Sequence, residues 1–268
     1  MGENKMIPKV IHYCWFGRGE KPKLALQCIE SWKKFLPDYE IKEWNEDNYD
    51  VHKIPYTSQA YQAKKYAFVS DYARFDILYH HGGLYFDTDV EIVKSLSDIL
   101  VQGAFMGFET DSVFEGDGQG RTVGTINPGL GLAVCPNEEV YKAILDLYKT
   151  LSFVNEDGTY DLTTVVTHVT NLFVSRGLRA APGVIDFQGI RLYPKEFFNP
   201  KDSNGNITIT PNTYTVHHFA ASWYTPKQKI VHWVICHLGV WPGRLVGLLL
   251  RNPLGIPKRI YDFLKGKH

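Results

Sequence analysis

The spacing of apolar residues changes several times along the chain, and each change marks a predicted element. Ile7 to Tyr13 reads as a first strand, closed by Trp15-Phe16-Gly17. From about Pro22 the period lengthens: Leu24, Cys28, Ile29, Trp32, Phe35 and Leu36 recur at helical spacing. Pro37-Asp38 breaks that helix, and Tyr39, Ile41 and Glu43-Trp44 give a short second strand. Strand, helix and strand within 45 residues predict an α/β unit built on a parallel sheet.

The stretch from Ser70 to Glu91 organises the rest. A helix starting near Ser58, a plausible N-cap, is predicted to carry Asp71 and Arg74 three apart on one face. Gly82-Gly83 supplies a left-handed stop. Leu84-Tyr85-Phe86 then reads as a buried strand running into Asp87 and Asp89, which point the same way if the strand persists.

Further along, Ala104–Phe108 and Gly129–Cys135 are strand candidates. Between them, Asp111–Thr125 is a glycine-rich loop suited to covering a site. Asn137 is placed as the cap of a helix with Val140, Ile144, Tyr148 and Leu151 as its buried stripe. Leu162 to Arg176 is a further helix, ended by Gly177. Arg191–Tyr193, Ile207–Thr210 and Tyr214–His218 alternate like strands, with Asn204-Gly205 as a turn. One α/β domain over residues 1–226 is expected, with an appendage over 227–268.

Composition changes this picture at one place. The 268 residues are 44% hydrophobic and 22% charged, as in ordinary soluble domains. A net charge of zero hides an asymmetry, because residues 227–268 hold eight Lys or Arg against a single acid, Asp262. An acidic body with a basic tail suggests an anionic membrane surface as a partner, and no nucleic acid. Trp233, Val234, Trp241, Leu245 and Leu248 to Leu250 would suit a helix lying in a membrane interface. Ile230–Gly243 is too short to span one in the ordinary way. Cys14, Cys28, Cys135 and Cys236 are scattered without metal spacing and read as reduced thiols. Met1 to Val10 lacks an apolar signal core, which points to a cytoplasmic protein.

Four segments can carry chemistry. Asp87 and Asp89, at the end of a buried strand where α/β sheets bind ligands, suit a hard divalent ion such as Mn²⁺ or Mg²⁺; a solvated turn is the plainer reading. Asp71 and Arg74 suit sugar hydroxyls and phosphate oxygens, or form a surface ion pair worth a few tenths of a kcal/mol. In Thr215–Trp223 the adjacent His217 and His218 point to opposite faces of a strand, so at most one meets the acids. The Trp223 indole N–H suits a phosphate. Trp15 can stack on a nucleobase or belong to the core.

Taken together and in this order, Ile-Pro-Lys-Val-Ile-His-Tyr-Cys-Trp-Phe-Gly at 7–17, Ser-Asp-Tyr-Ala-Arg at 70–74, Gly-Gly-Leu-Tyr-Phe-Asp-Thr-Asp at 82–89 and His-His-Phe-Ala-Ala-Ser-Trp at 217–223 resemble family-32 glycosyltransferases. The resemblance is to bacterial members of capsular or surface polysaccharide synthesis. It covers residues 7–110 and resumes near 193–224. It implies a GT-A-type, Rossmann-like nucleotide-sugar-binding domain with a mixed central sheet, here followed by a helical basic appendage. It implies a nucleotide-sugar donor, a UDP-sugar by preference, and a saccharide or lipid-linked oligosaccharide acceptor. It also implies a divalent metal on Asp87, Asp89 and His217, with His218 the alternative histidine. Trp15, Asp71, Arg74, Ser222 and Trp223 match donor-binding positions, and Asp71, Arg74, Asp87 and Asp89 the catalytic set. Transfer with retention, on the inner face of the cell membrane, completes what the resemblance implies.

Two alternatives stand beside it. The strand with Asp-Thr-Asp-Val also resembles the first motif of haloacid dehalogenase-like phosphatases, where Asp87 would be the nucleophile. The later acidic motif is missing: Arg121 stands where a second Asp is required, and no Asp-Asp pair occurs. A non-catalytic nucleotide-sugar-binding scaffold is the other.

Overall fold

The computed structural model describes residues 6–114, 120–202 and 205–220. β1 (Val10–Cys14) leads through a loop to α1 (Lys23–Phe35), which buries Ala25, Cys28, Ile29 and Trp32, and then to β2 (Glu40–Trp44). α2 (Pro55–Gln62) and α3 (Tyr66–His81) precede β3 (Gly83–Tyr85), β4 (Val90–Ile92), α4 (Ser97–Leu100) and β5 (Phe105–Gly107). β6 (Val113–Phe114), β7 (Gly120–Thr122), β8 (Leu132–Val134), α5 (Glu139–Thr150) and α6 (Val165–Ser175) follow. The described part closes with β9 (Ile185–Phe187), β10 (Ile190–Tyr193), α7 (Lys195–Phe198) and β11 (Thr215–His217).

Seven strands form one mixed sheet in the order β2-β1-β3-β8-β5-β10-β9. β1 is parallel to β2 and β3, and β5 to β10, whereas β8 runs antiparallel between β3 and β5. This is the mixed α/β sheet expected of a GT-A domain. Its central strands β3, β8 and β5 are buried on both faces because each face is covered there. Side chains alternate between two cores: Leu84 and Phe86 pack with α1 residues on one side, and Tyr85 packs with α3 residues on the other. Phe105 and Met106, and Leu132 and Ala133, divide in the same way.

Five strands run in one direction, so their C-terminal ends share one edge. That edge gathers Trp15 after β1, residues 86–89 after β3 and Glu109 after β5, with residues 127–129 leading into β8. A small second sheet pairs β4 with β11, His217 opposite Val90. α1 anchors it: the Trp32 indole donates to the Val90 carbonyl at 2.7 Å, and the Ile92 amide to Ser31 Oγ at 2.9 Å.

Several predicted boundaries move. The helix placed from Ser58 onward is two helices, because Lys64 adopts a left-handed φ of 56° between them. α2 begins instead at Pro55, whose ring suits a first helical position. Asn137 does not cap α5. It also takes a left-handed φ, 66°, and donates its amide to the Tyr79 carbonyl. Ile207–Thr210 is no strand; Ile207 makes only an isolated bridge with Lys201. The loop over 111–125 contains the paired β6 and β7.

The chain divides into two compact units, one of residues 1–200 and 209–218, the other of 201–208 and 219–268. In the second, the described residues form a turn in which the Asp202 and Asn206 backbones are joined and Gly205 has a φ of 86°. The expected boundary at residue 226, the tail over 227–268 and Cys236 lie outside the described residues. Among the described residues, no helix is long and apolar enough to cross a membrane, and Cys14, Cys28 and Cys135 are buried.

Candidate active site

α3 places Asp71 and Arg74 one turn apart, and the pair is not on the surface: Asp71 is 8% and Arg74 3% exposed. Arg74 Nη2 donates to Asp71 Oδ1 at 2.8 Å, and its Nη1 donates to Asp87 Oδ2 at 3.3 Å. Its Nε donates to the Ser70 carbonyl at 3.1 Å, and its guanidinium lies 5.0 Å from the centre of the Tyr85 ring. Burial works against the Arg74 charge, but Asp87, Tyr85 and Asp71 outweigh it and raise its pKa. Burial pushes Asp71 up to about 7, against the pull of Arg74 and, more weakly, of the Val165 amide at the start of α6. Arg74 is therefore a cation shared by two carboxylates on separate elements.

Gly82 and Gly83, with φ of 63° and 99°, turn the chain from α3 into β3. A Cβ on Gly83 would meet the Val10 carbonyl oxygen at 2.6 Å, so the turn packs directly on β1. His12 secures it from below. Its Nδ1 accepts the Trp44 indole N–H at 3.0 Å, which leaves Nε2 to donate to the Gly82 carbonyl at 3.0 Å. Burial lowers its pKa to about 4, so the imidazole is neutral.

β3 ends at Tyr85, one residue earlier than the predicted strand, and Asp87 and Asp89 sit on the turn that follows. The Val90 amide closes the turn on the Asp87 carbonyl at 3.0 Å. The two acids therefore do not share a strand face. Asp87 Oδ1 accepts the Tyr85 hydroxyl at 3.1 Å while its Oδ2 meets Arg74. Asp89 Oδ1 lies 3.1 Å from His217 Nε2. The antiparallel pairing of β4 with β11 makes that second meeting, joining residues 128 apart. Burial works to lower the His217 pKa, but Asp89 outweighs it and Asp87 and Glu109 add to the upward shift. His218 faces the other way, its Nε2 2.9 Å from Glu91 Oε2.

Trp15 stands half-buried at the end of β1, its indole N–H bonded within its own loop to the Gly19 carbonyl at 2.6 Å. Ser222 and Trp223 lie outside the described residues. Cys14, close to Arg74 and Asp87, is pushed up to about 12, chiefly by burial, and stays a thiol.

Three participants went unread in the sequence. Tyr85 is one. Gly129 is another: its carbonyl accepts the Asp87 amide at 3.2 Å, and a Cβ on it would stand 2.1 Å from Asp87 Oδ2. The third is Asn127, whose Oδ1 accepts the Gly129 amide at 2.7 Å and whose Nδ2 donates to Glu109 Oε2 at 2.7 Å. The signal was Asn127-Pro128-Gly129, a turn just before an apolar strand.

Among the described residues, no three His, Cys, Asp or Glu groups converge on a ready-made metal cage. The donors nevertheless fit a hard divalent ion. Carboxylate oxygens and an imidazole nitrogen are suitable ligands, and such ions commonly complete their shell with phosphate and water. The Cβ-free face of Gly129 leaves the Asp87 carboxylate its place at the turn.

Residues 22–106 match the family model described as the glycosyltransferase sugar-binding region containing the DXD motif. Over 123 residues the chain is 28% identical to inositol phosphoceramide mannosyltransferase 1 of Schizosaccharomyces pombe, covering 42% of this chain and 37% of that protein. Over 116 residues it is 32% identical to an uncharacterized glycosyltransferase of Acanthamoeba polyphaga mimivirus, covering 41% and 46%. The chain thus spans less than half the length of these relatives. Among solved structures, the PaToxG glycosyltransferase aligns with a TM-score of 0.44 at 18% identity, covering 64% of this chain and 70% of that one. Asp87-Thr88-Asp89 is the single Asp-X-Asp within the matched span, and it is over residues 22–106 that this chain is similar to the glycosyltransferase sugar-binding region of the DXD type.

Proposed function

We propose that this protein is a metal-dependent glycosyltransferase that moves a sugar from a nucleotide-sugar, a UDP-sugar by preference, to a saccharide or lipid-linked oligosaccharide hydroxyl. The observation that carries this reading is the meeting of Asp89 with His217 at 3.1 Å. It occurs at the same sheet edge where Arg74 joins Asp71 to Asp87. Asp87, Asp89 and His217 would hold a divalent ion, Mn²⁺ or Mg²⁺. When bound, that ion neutralises charge growing on the departing diphosphate.

The chain's own residues supply the rest. Arg74, fixed by Asp71 and Ser70, offers a buried positive charge beside the same diphosphate. Asp71 accepts donor-sugar hydroxyls. Trp15 stacks on the base, and the family resemblance gives Ser222 and Trp223 as further donor-binding residues. The bond from the anomeric carbon to the diphosphate oxygen breaks, a bond from that carbon to the acceptor oxygen forms, and the acceptor's proton passes to the departing diphosphate. Both events take place on one face of the sugar, which retains configuration. The family resemblance supports this course and a place in capsular or surface polysaccharide synthesis. The eight basic residues of 227–268 support attachment to the anionic inner face of the membrane.

A screen of UDP- and GDP-sugars with Mn²⁺, reading release of nucleoside diphosphate, tests the assignment. Turnover of at least one donor is expected, and Asp89→Asn should reduce it by about 1,000-fold, close to 4 kcal/mol of barrier. A wild-type rate in Asp89→Asn would remove the metal assignment. Binding of a donor with no turnover by the wild type would favour the scaffold reading.

A further inference from the structure

The acids of the Asp87 turn have a neighbour that the transfer reading leaves without a task. Glu109 follows β5 at the same sheet edge, and one of its oxygens is committed: Oε2 accepts the Asn127 side chain at 2.7 Å. Oε1 accepts no hydrogen bond among the described residues. Its backbone is fixed from two sides. The Glu109 amide donates to the Thr125 carbonyl at 2.7 Å, and its carbonyl accepts Asn199 Nδ2 at 3.2 Å. Asn199 is 3% exposed, and its Oδ1 is buried with no partner among the described residues.

The link to the reacting region is direct. Asn127 holds Glu109 with one end and the Gly129 amide with the other, and Gly129 carries the Asp87 turn. On the other side of Glu109 the chain runs past a cavity of about 240 Å³ walled by Phe108, Asp111, Ser112, Phe114, Pro182 and Pro194. An ionised carboxylate only accepts hydrogen bonds. It repels a diphosphate, which Arg74 and a metal would hold instead, but it suits a hydroxyl.

Resting on the transferase reading, we propose that Glu109 positions the acceptor: its Oε1 takes the hydrogen bond of the attacking hydroxyl. Asn127 is the positioning residue that locks this carboxylate to the Asp87 turn. The remainder of the acceptor lies toward the cavity. The proton still leaves with the diphosphate, so Glu109 aims the hydroxyl and is regenerated unchanged.

The test separates donor binding from turnover, using the full chain with Mn²⁺ and the nucleotide-sugar found active in the donor screen. Donor Kd is measured by calorimetry, and turnover as nucleoside diphosphate release with water as acceptor. Glu109→Gln should leave Kd within twofold and lower turnover 10- to 100-fold, the scale of a misplaced reactant. Glu109→Asp, which keeps the charge but draws it back by one methylene, should recover part of that loss and serves if the first variant does not fold. Unchanged turnover in Glu109→Gln overturns the proposal. So does a Kd weakened in step with turnover, which would place Glu109 on the donor; both results leave the transferase reading intact. A wild-type chain that neither binds nor hydrolyses any nucleotide-sugar overturns that reading, and this proposal with it.

Discussion

α3 carries two buried aspartates that look alike in the sequence and have different surroundings. Asp71 and Asp76 are 8% and 4% exposed, and each is paired with a base. Asp76 is saturated by residues of the neighbouring loop and its own helix. It accepts Lys53 Nζ at 2.8 and 2.7 Å and the Tyr49 hydroxyl at 3.0 Å, with His80 at 3.4 Å. The Lys53 side chain is 42% exposed, so this pair reaches water. Asp71 is paired with Arg74, whose side chain is only 4% exposed and which reaches a second carboxylate, Asp87, at a longer 3.3 Å. A saturated pair ties elements together. A buried cation stretched between two carboxylates joins α3 to the Asp87 turn, and under the transferase reading proposed above it also faces the donor diphosphate.

The difference is sharpest in Arg74→Lys. An ammonium keeps the charge but cannot span Asp71 and Asp87 in one plane. Donor turnover should fall by 100- to 1,000-fold, roughly 3–4 kcal/mol, with a near-native circular dichroism spectrum. A lysine enzyme within tenfold of wild type would mean that Arg74 serves only the fold.

Next in size is a pH effect at the Asp76 end of the helix, where His12 secures the Gly82 carbonyl. The folded imidazole stays neutral down to about 4, whereas the unfolded one takes up a proton near the ordinary histidine value of 6.5. The contribution of His12 is therefore fully present above pH 6.5 and is lost as the pH falls through 6.5 toward 4. The loss amounts to at most about 3 kcal/mol. Urea unfolding at several pH values in that window should show a shallower slope in His12→Gln. An unaltered slope would assign the pH dependence to other groups.

The smallest effect belongs to Asp76→Ala. Tyr49 loses its acceptor, but Lys53 can turn to solvent, so the expected cost is about 1–3 kcal/mol of stability. Turnover per folded molecule and donor Kd should not change. If turnover fell as far as in Arg74→Lys, the two pairs would not be functionally distinct.

How much of this was legible in the sequence depends on range. Period and punctuation located α1, β2 and the Gly82-Gly83 turn, because those features depend on residues within one or two turns of each other. The Asp71–Arg74 pair was legible as a spacing, but its burial was not, since that depends on α2 and α5 packing against α3. The single helix expected from Ser58 failed at Lys64, and Asn137 lost its capping role to a left-handed conformation. Local propensity does not distinguish a cap from a turn when a distant carbonyl, here that of Tyr79, takes the amide.

By itself the sequence determined the α/β class, the candidate acids and the glycosyltransferase resemblance of the 22–106 region. Alternation, helical spacing and short motifs are local, and their physics is read within a few residues. Tertiary structure alone decided that Asp87 leans on Gly129 and Arg74, that the His217 ring turns to the Asp89 carboxylate while the His218 ring turns to Glu91, and that Asn127 joins the turn to Glu109. Those contacts follow from the antiparallel insertion of β8 and from the pairing of β4 with β11. Strand register across more than a hundred residues is set by packing, and no local pattern encodes it.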